Sequence, residues 1–299
     1  MPAWSDRTKI RHDTWFGRIG LFLLAGVLLT ACAKGPVAPA PDAPSDTAVT
    51  NACCVAITPY PKWLIKLLES GSTATGNKVG AVVFRPGHLE RYEAAPEYAQ
   101  RHLRPLDILL SSTKGRLSGQ MTPGYFGHVA IYLGTRAQIQ QAGLWSLPAL
   151  VPHQQKINAG HVFLEAINPE VQLATPRAVL SGDAIAIFRP QLSRAQRRAA
   201  LNFGLSALGK PFDFKFDADS ADCLFCVELM VRMMPHLNIP ARQAYDRAVL
   251  VPDDVARHGL SSPELQFVGY LYATPAKLAT GSRADLIRTL NAAWPEHVP

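Results

Sequence analysis

Three short segments hold residues that together could do nucleophilic chemistry. Gly127-His128-Val129-Ala130-Ile131-Tyr132-Leu133-Gly134 opens an apolar run with a histidine. His161-Val162-Phe163-Leu164-Glu165-Ala166 sets a carboxylate in the middle of another apolar run. A carboxylate there is costly to bury unless it is paired or hydrogen-bonded. Asp222-Cys223-Leu224-Phe225-Cys226-Val227-Glu228-Leu229 puts two thiols where a helix begins, and the field of a helix N-terminus favours a thiolate. Each segment alone has an ordinary explanation: a structural strand-end histidine, a solvated edge-strand glutamate, a cysteine serving as a small hydrophobe. Together they supply what a thiol nucleophile needs. A cysteine loses its proton, a histidine takes it, and a polar group holds the imidazole in the right tautomer. The three segments are far apart in sequence, so only the fold can bring them together.

The elements that must position them read as strands followed by packed helices. Short apolar runs at 107–111, 128–133, 162–167, 171–174 and 184–188 are punctuated by Gly and Pro and predict strands. A last strand is predicted at 266–272, and 79–84 also reads as one. Residues 62–69 have apolar positions at helical spacing and 90–104 a mixed helical pattern. Residues 193–208 predict a helix with Ser193 as its N-cap and Gly209 at its end. Residues 222–234 predict a second helix stopped by Pro235. A short helical turn is expected at 253–258 and a terminal helix within 276–299. The class is α+β, an antiparallel sheet or small barrel packed against helices.

The segments around 128, 165 and 226, with Gly209-Lys210-Pro211-Phe212-Asp213-Phe214 between them, resemble the circularly permuted papain-like cysteine hydrolases of the NlpC-type superfamily, in particular its YiiX/YaeF-like branch. Asp107-Ile108-Leu109-Leu110, Arg189-Pro190 and Val251-Pro252-Asp253-Asp254 support the resemblance. The order His, Glu, Cys is the permuted one. The resemblance implies Cys226 as nucleophile, His128 as general base and later acid, Glu165 as the orienting third member, and a backbone N–H at Cys226 as oxyanion donor. It implies acyl transfer through a thioester with no metal and no cofactor. Glu228 corresponds to a family glutamate and reads as structural, anchoring the helix start. Tyr132 lies on the face of His128 and could reach the site or pack in the core. Two positions depart from the family pattern: Val227 replaces a serine, and Phe212 replaces a tyrosine before Asp213. Both bear on substrate preference.

Composition narrows the classes further. The chain has 299 residues, 48% hydrophobic and 18% charged, with 21 Gly and 24 Pro. This excludes extensive disorder, a long coiled coil and a collagen-like repeat. The net charge is +7; the first 31 residues hold two of those charges, leaving a mildly basic remainder with scattered bases and no nucleic-acid patch. A basic stretch ending at Arg18, an apolar run from 19 to 29 and Leu29-Thr30-Ala31-Cys32 resemble a bacterial lipoprotein signal. The resemblance implies lipidation at Cys32 and an envelope location, with Ala33 favouring the outer membrane, facing the periplasm. The expected organisation is a signal at 1–31, a Pro/Ala-rich tether at 32–54, and one hydrolase domain at 55–299. Within it the family core is 105–256, with extensions at 55–104 and 257–299.

The expected activity is cleavage of an amide, either in cell-wall peptides or in N-acyl or lipid amides. Location favours the first substrate and the apolar residues Phe212, Phe225 and Val227 favour the second. Two other readings stay open: a non-enzymatic lipoprotein on the same fold, and a redox or disulfide role for the Cys223–Cys226 pair. A structural disulfide from Cys53 or Cys54 to Cys223 is also possible in an oxidising compartment.

Overall fold

The computed structural model describes residues 82–213, 222–244 and 247–294. The expectations for 1–81 (signal, tether, Cys32, Cys53, Cys54 and the helix at 62–69) lie outside the described residues. In chain order the elements are α1 (Ala94–His102), β1 (Ile108–Ser112), α2 (Leu117–Met121), β2 (His128–Tyr132), α3 (Arg136–Gln141) and α4 (Gln154–Asn158). Then come β3 (Phe163–Ile167), β4 (Glu170–Ala174), α5 (Pro176–Val179), β5 (Ala184–Pro190), α6 (Arg194–Ser206) and α7 (Cys226–Met233). The chain continues through β6 (Arg242–Ala244), β7 (Arg247–Val249), α8 (Pro252–Ser261), β8 (Leu265–Ala273), β9 (Leu278–Gly281) and α9 (Arg283–Ala293).

Seven strands form one antiparallel sheet in the order β4-β3-β2-β1-β5-β8-β9, and β6 and β7 form a separate hairpin. The sheet is open: β4 and β9 are its two edges, so the small-barrel alternative does not apply. Its centre explains its composition. Ile108, Leu109 and Leu110 of β1 and all of 184–188 in β5 are completely buried. Strands covered on both faces carry continuous apolar runs rather than alternation, and each such aliphatic side chain contributes ~1.5–3 kcal/mol on burial.

The six predicted core strands form within one or two residues of expectation. Four expectations change. Val83 makes only an isolated bridge to Arg116, so the described part of 79–84 is not a sheet strand. The helix expected at 222–234 begins at Cys226, because Leu224 is held in a parallel bridge to Phe212. Its N–H donates to the Pro211 carbonyl at 3.0 Å and its carbonyl accepts from Asp213 N–H at 3.1 Å. Residues 224 and 225 are therefore extended, and the first helical residue is the cysteine. The turn expected at 253–258 is the ten-residue α8. Finally, residues 276–299 do not start as a helix. A tight turn closed by Thr274 and Lys277 reverses the chain, and 278–281 add β9 to β8 before Ser282 caps α9.

Helix α7 packs against β2, β3 and α6. Gly204 of α6 lies directly against Leu164 of β3 and Met233 of α7, where a side chain would meet both. This close approach ties the cysteine helix to the sheet.

Asp107 and Arg189, which had no assigned role in the sequence, lock the sheet centre. Arg189 Nε and Nη2 donate to Asp107 Oδ1 and Oδ2 at 2.8 and 2.6 Å, and Nη2 also reaches the His102 carbonyl at 2.8 Å. The carboxylate is buried. Burial raises its pKa, with the Arg189 contact and the Arg104 N–H opposing that rise. Removing the cation strands a buried charge. Arg189→Met should lower stability by ~3 kcal/mol in urea unfolding, whereas adding Asp107→Asn should recover part of the loss.

Candidate active site

The register of the sheet decides which side chains meet. Tyr132 pairs with Phe163 and Ile131 with Leu164, so residues 128, 130 and 132 share a face with 163 and 165. Glu165 in turn lies directly opposite Gln172 on β4. His128 stands at the first position of β2, and its Nε2 is 2.8 Å from Glu165 Oε2. The other carboxylate oxygen, Oε1, accepts from Gln172 Nε2 at 3.2 Å. Glu165 is 4% exposed, so both of its oxygens are occupied in a setting where an unpaired carboxylate would be costly. Arg116 adds a favourable charge nearby.

The His128 ring also interacts with Cys226, which helps to raise it. With Nε2 committed to Glu165, Nδ1 is the nitrogen left for the thiol. Cys226 is the first residue of α7 and is 8% exposed. It is a free thiol, so the Cys223–Cys226 pair is not closed as a disulfide. One imidazole thus bridges the thiol and the carboxylate that sequence reasoning grouped together.

The electrostatics follow from the geometry. Burial disfavours an imidazolium. The hydrogen bonds to Cys226 and Glu165 and the negative charge of both partners outweigh it, raising His128 to about 10 from an ordinary 6.5. For Glu165, burial pushes upward, but the His128 hydrogen bond and charge, with Gln172, hold it below its usual range. A raised histidine contributes stability that is complete below 6.5 and lost as pH rises toward about 10. A lowered carboxylate contributes stability above 4.5 that is lost as pH falls through its lowered value.

The remaining predicted residues divide differently. Glu228 anchors the helix start: its Oε2 accepts the Phe225 N–H at 3.4 Å and its Oε1 is 2.6 Å from Arg232. Burial raises it to about 7, against the Arg232 charge and with the help of Asp213. Asp213 is buried beside this group. Tyr132 takes the packing branch of its two alternatives. It is 4% exposed, and its hydroxyl donates to Gln138 Oε1 at 2.7 Å, at the far end of β2 from His128. Phe225 and Val227 are 1% and 0% exposed and belong to the core, and Phe212 packs against that core. The two buried side chains are therefore not an apolar cleft wall, and the hydroxyl absent at Val227 would have faced the interior.

Gln172 was missed. The signal was available: strands at 163–167 and 170–174 joined through Asn168-Pro169 place 165 opposite 172. Arg116 sits in a loop and no pattern marks it. Among the described residues no group of His, Cys, Asp or Glu could hold a metal ion, and no helix is long and apolar enough to cross a membrane.

The family model for permuted papain-like amidase enzymes of the YaeF/YiiX type matches residues 102–287. The match extends past the expected core of 105–256 and takes in β8, β9 and part of α9. No curated protein and no solved structure matches the chain. Covering well over half the sequence, the family match is decisive: the chain belongs to the permuted papain-like amidases and is an amide-cleaving hydrolase.

Two outcomes are expected. In Glu165→Gln the His128 ring, followed by its imidazole NMR shifts, should titrate at least ~1 unit lower than in the unaltered protein. Glu228 binds a proton in the folded chain between about 4.5 and 7 that the unfolded chain does not, so its contribution to stability declines as pH rises across that range. Glu228→Gln should flatten this part of the melting temperature against pH.

Proposed function

We propose that this permuted papain-like amidase cleaves its substrate with Cys226 as nucleophile, His128 as acid and base, and Glu165 as the group that orients the ring. The observation that carries this reading is a single imidazole hydrogen-bonded to Glu165 and raised by its interaction with Cys226. With His128 raised to about 10, the imidazolium is its resting form at neutral pH. The thiolate sulfur attacks the amide carbonyl carbon and the carbonyl π electrons move to oxygen. The first N–H groups of α7 have no intrahelical acceptor, and that of Cys226 donates to the oxyanion. One such donor is worth ~3 kcal/mol. As the C–N bond breaks, His128 gives its proton to the leaving amine, and a thioester remains. Neutral His128 then takes a proton from water, hydroxide adds to the thioester, and the carboxylic acid leaves as the imidazolium and thiolate re-form.

The substrate we favour is a peptide amide of the cell wall rather than a lipid amide. Of the three residues that supported a lipid, Phe225 and Val227 are core and only Phe212 is partly exposed. Gln172 also lines a cavity of about 240 Å³, in which His153, Lys156, His161 and Glu170 stand beside Val171, Leu173 and Leu208; this mixed lining suits a peptide with polar and charged side chains. The same reading places the enzyme in the bacterial envelope, tethered through lipidated Cys32 with residues 33–54 as spacer, on the outer membrane facing the periplasm.

Iodoacetamide at about pH 6 should alkylate Cys226 rapidly and selectively, where an ordinary thiol reacts slowly, and His128→Ala should slow it. Cys226→Ala should abolish hydrolysis of cell-wall peptides while leaving the circular dichroism unchanged. If Cys226→Ala retains full activity, the nucleophile is wrong. If Cys226 labels only after reduction, the cysteine pair has a redox or structural role instead.

A further inference from the structure

The loop that delivers His128 is held from below by one buried carboxylate. Asp253, the second residue of α8, is completely buried. Its Oδ1 accepts the Phe126 N–H at 2.8 Å, and its Oδ2 accepts the Tyr125 N–H and the Trp294 indole N–H, both at 2.7 Å. The carboxylate also lies against the backbone at Gly124. A Cβ there would come within 2.1 Å of Oδ2, and φ is +87°, a conformation that glycine adopts without strain. Gly127 N–H donates to the Ser111 carbonyl at 2.9 Å, and Ser111 pairs with His128 across β1 and β2. Every residue from 124 to 127 is thus pinned immediately before the base.

The buried charge has countercharges. Asp253 sits in the first turn of α8, where a negative group is favoured. Lys114 lies close enough to act on it electrostatically, while its Nζ donates to the Gly119 and Thr122 carbonyls at 2.8 and 3.2 Å. The two charges together hold both ends of the segment between β1 and β2. An amide in place of Asp253 would keep the shape but put an N–H₂ group against N–H donors, so the polarity would not survive the change.

The third donor comes from outside the family match. Trp294 follows α9, beyond residue 287. Its ring lies under the Arg242 guanidinium, with the carbon of that group 5.3 Å from the ring centroid, and Arg242 is paired with Asp254, the neighbour of Asp253. Val249 and Val251 pack around the same ring. The β6–β7 hairpin, through Arg242, thus braces the Trp294 ring that α9 presents to the Asp253 carboxylate.

We infer that Asp253 is a positioning residue for His128 and that the C-terminal helix, through the Trp294 N–H, is part of the machinery that aims the base. This rests on the reading of His128 and Cys226 given above. Neither Asp253 nor Trp294 is assigned contact with substrate; each acts through the Gly124–Gly127 backbone.

Trp294→Phe is the decisive variant, because it keeps an aromatic side chain and deletes the donor. In the full chain it should lower the rate of iodoacetamide alkylation at Cys226 at least ~3-fold, with ~100-fold as the ceiling set by the loss of one hydrogen bond to a charged group, and bring the His128 NMR midpoint down. Asp253→Asn should do more, if it folds. Asp285→Ala serves as the control: it removes the cap at the opposite end of the same helix, and should lower the melting temperature while leaving both readouts unchanged. A Trp294→Phe protein with the unaltered rate and midpoint overturns the inference. So does an Asp285→Ala protein that slows alkylation as much as Trp294→Phe, since general stability then explains both. If the unaltered protein shows no selective labelling at Cys226, the reading of the nucleophile fails, while the His128 midpoint in Trp294→Phe still decides the positioning role.

Discussion

A buried imidazole between an acid and a thiol is the constraint around which this chain is organised. Alone, an imidazolium in this place would be unfavourable, and so would the carboxylate of Glu165. Each becomes favourable through the other, at 2.8 Å, with Gln172 occupying the remaining carboxylate oxygen. The pair therefore demands a rigid frame. A shift of an ångström in either strand would leave two buried charges partly unmatched, and losing a partner from such a pair costs several kcal/mol.

The frame is the antiparallel sheet and the helix laid on it. β2 and β3 are adjacent, so His128 and Glu165 share a face by register rather than by loop conformation. β1 and the fully buried 184–188 stretch of β5 form the sheet centre beside β2 and are themselves stapled by Arg189 and Asp107. The cysteine comes from a different layer. The bridge between Phe212 and Leu224 keeps the chain extended until residue 226, so the helix can begin only at the thiol. Glu228 then holds the helix start by accepting the Phe225 N–H. The departures from the family pattern fall in this scaffold, since Val227 is buried beneath the helix. The loss of a hydroxyl there alters packing rather than the surface a substrate meets.

Much of the architecture was readable in advance. The six core strands are short apolar runs between Gly and Pro, and Ser193 and Gly209 bound α6 through local capping chemistry that needs no distant partner. The elements that were misread depend on partners remote in sequence. The 278–281 stretch becomes a strand because β8 offers it an edge. Residues 222–225 are drawn out of the helix by Phe212. Tyr132, on the same face as His128 by simple alternation, is claimed by Gln138 at the other end of the strand. Phe225 and Val227 read as apolar cleft residues because sequence shows that a side chain is apolar, not which way it points.

What the sequence by itself determined was the cast of the site: a histidine opening one strand, a glutamate inside another, a cysteine at a helix start, and their order along the chain. These follow from residue types and from periodicities of two and 3.6, which are local properties. What only the tertiary structure decided was their meeting. The hydrogen bond of His128 to Glu165 and its interaction with Cys226, the second contact of Glu165 with Gln172, and the convergence of Tyr125, Phe126 and Trp294 on Asp253 join residues 7 to 128 positions apart in sequence. Such contacts are set by strand register and by the packing of α7, α8 and α9 against the sheet. Burial then turns those meetings into chemistry, because the same groups in water would each keep their ordinary ionisation.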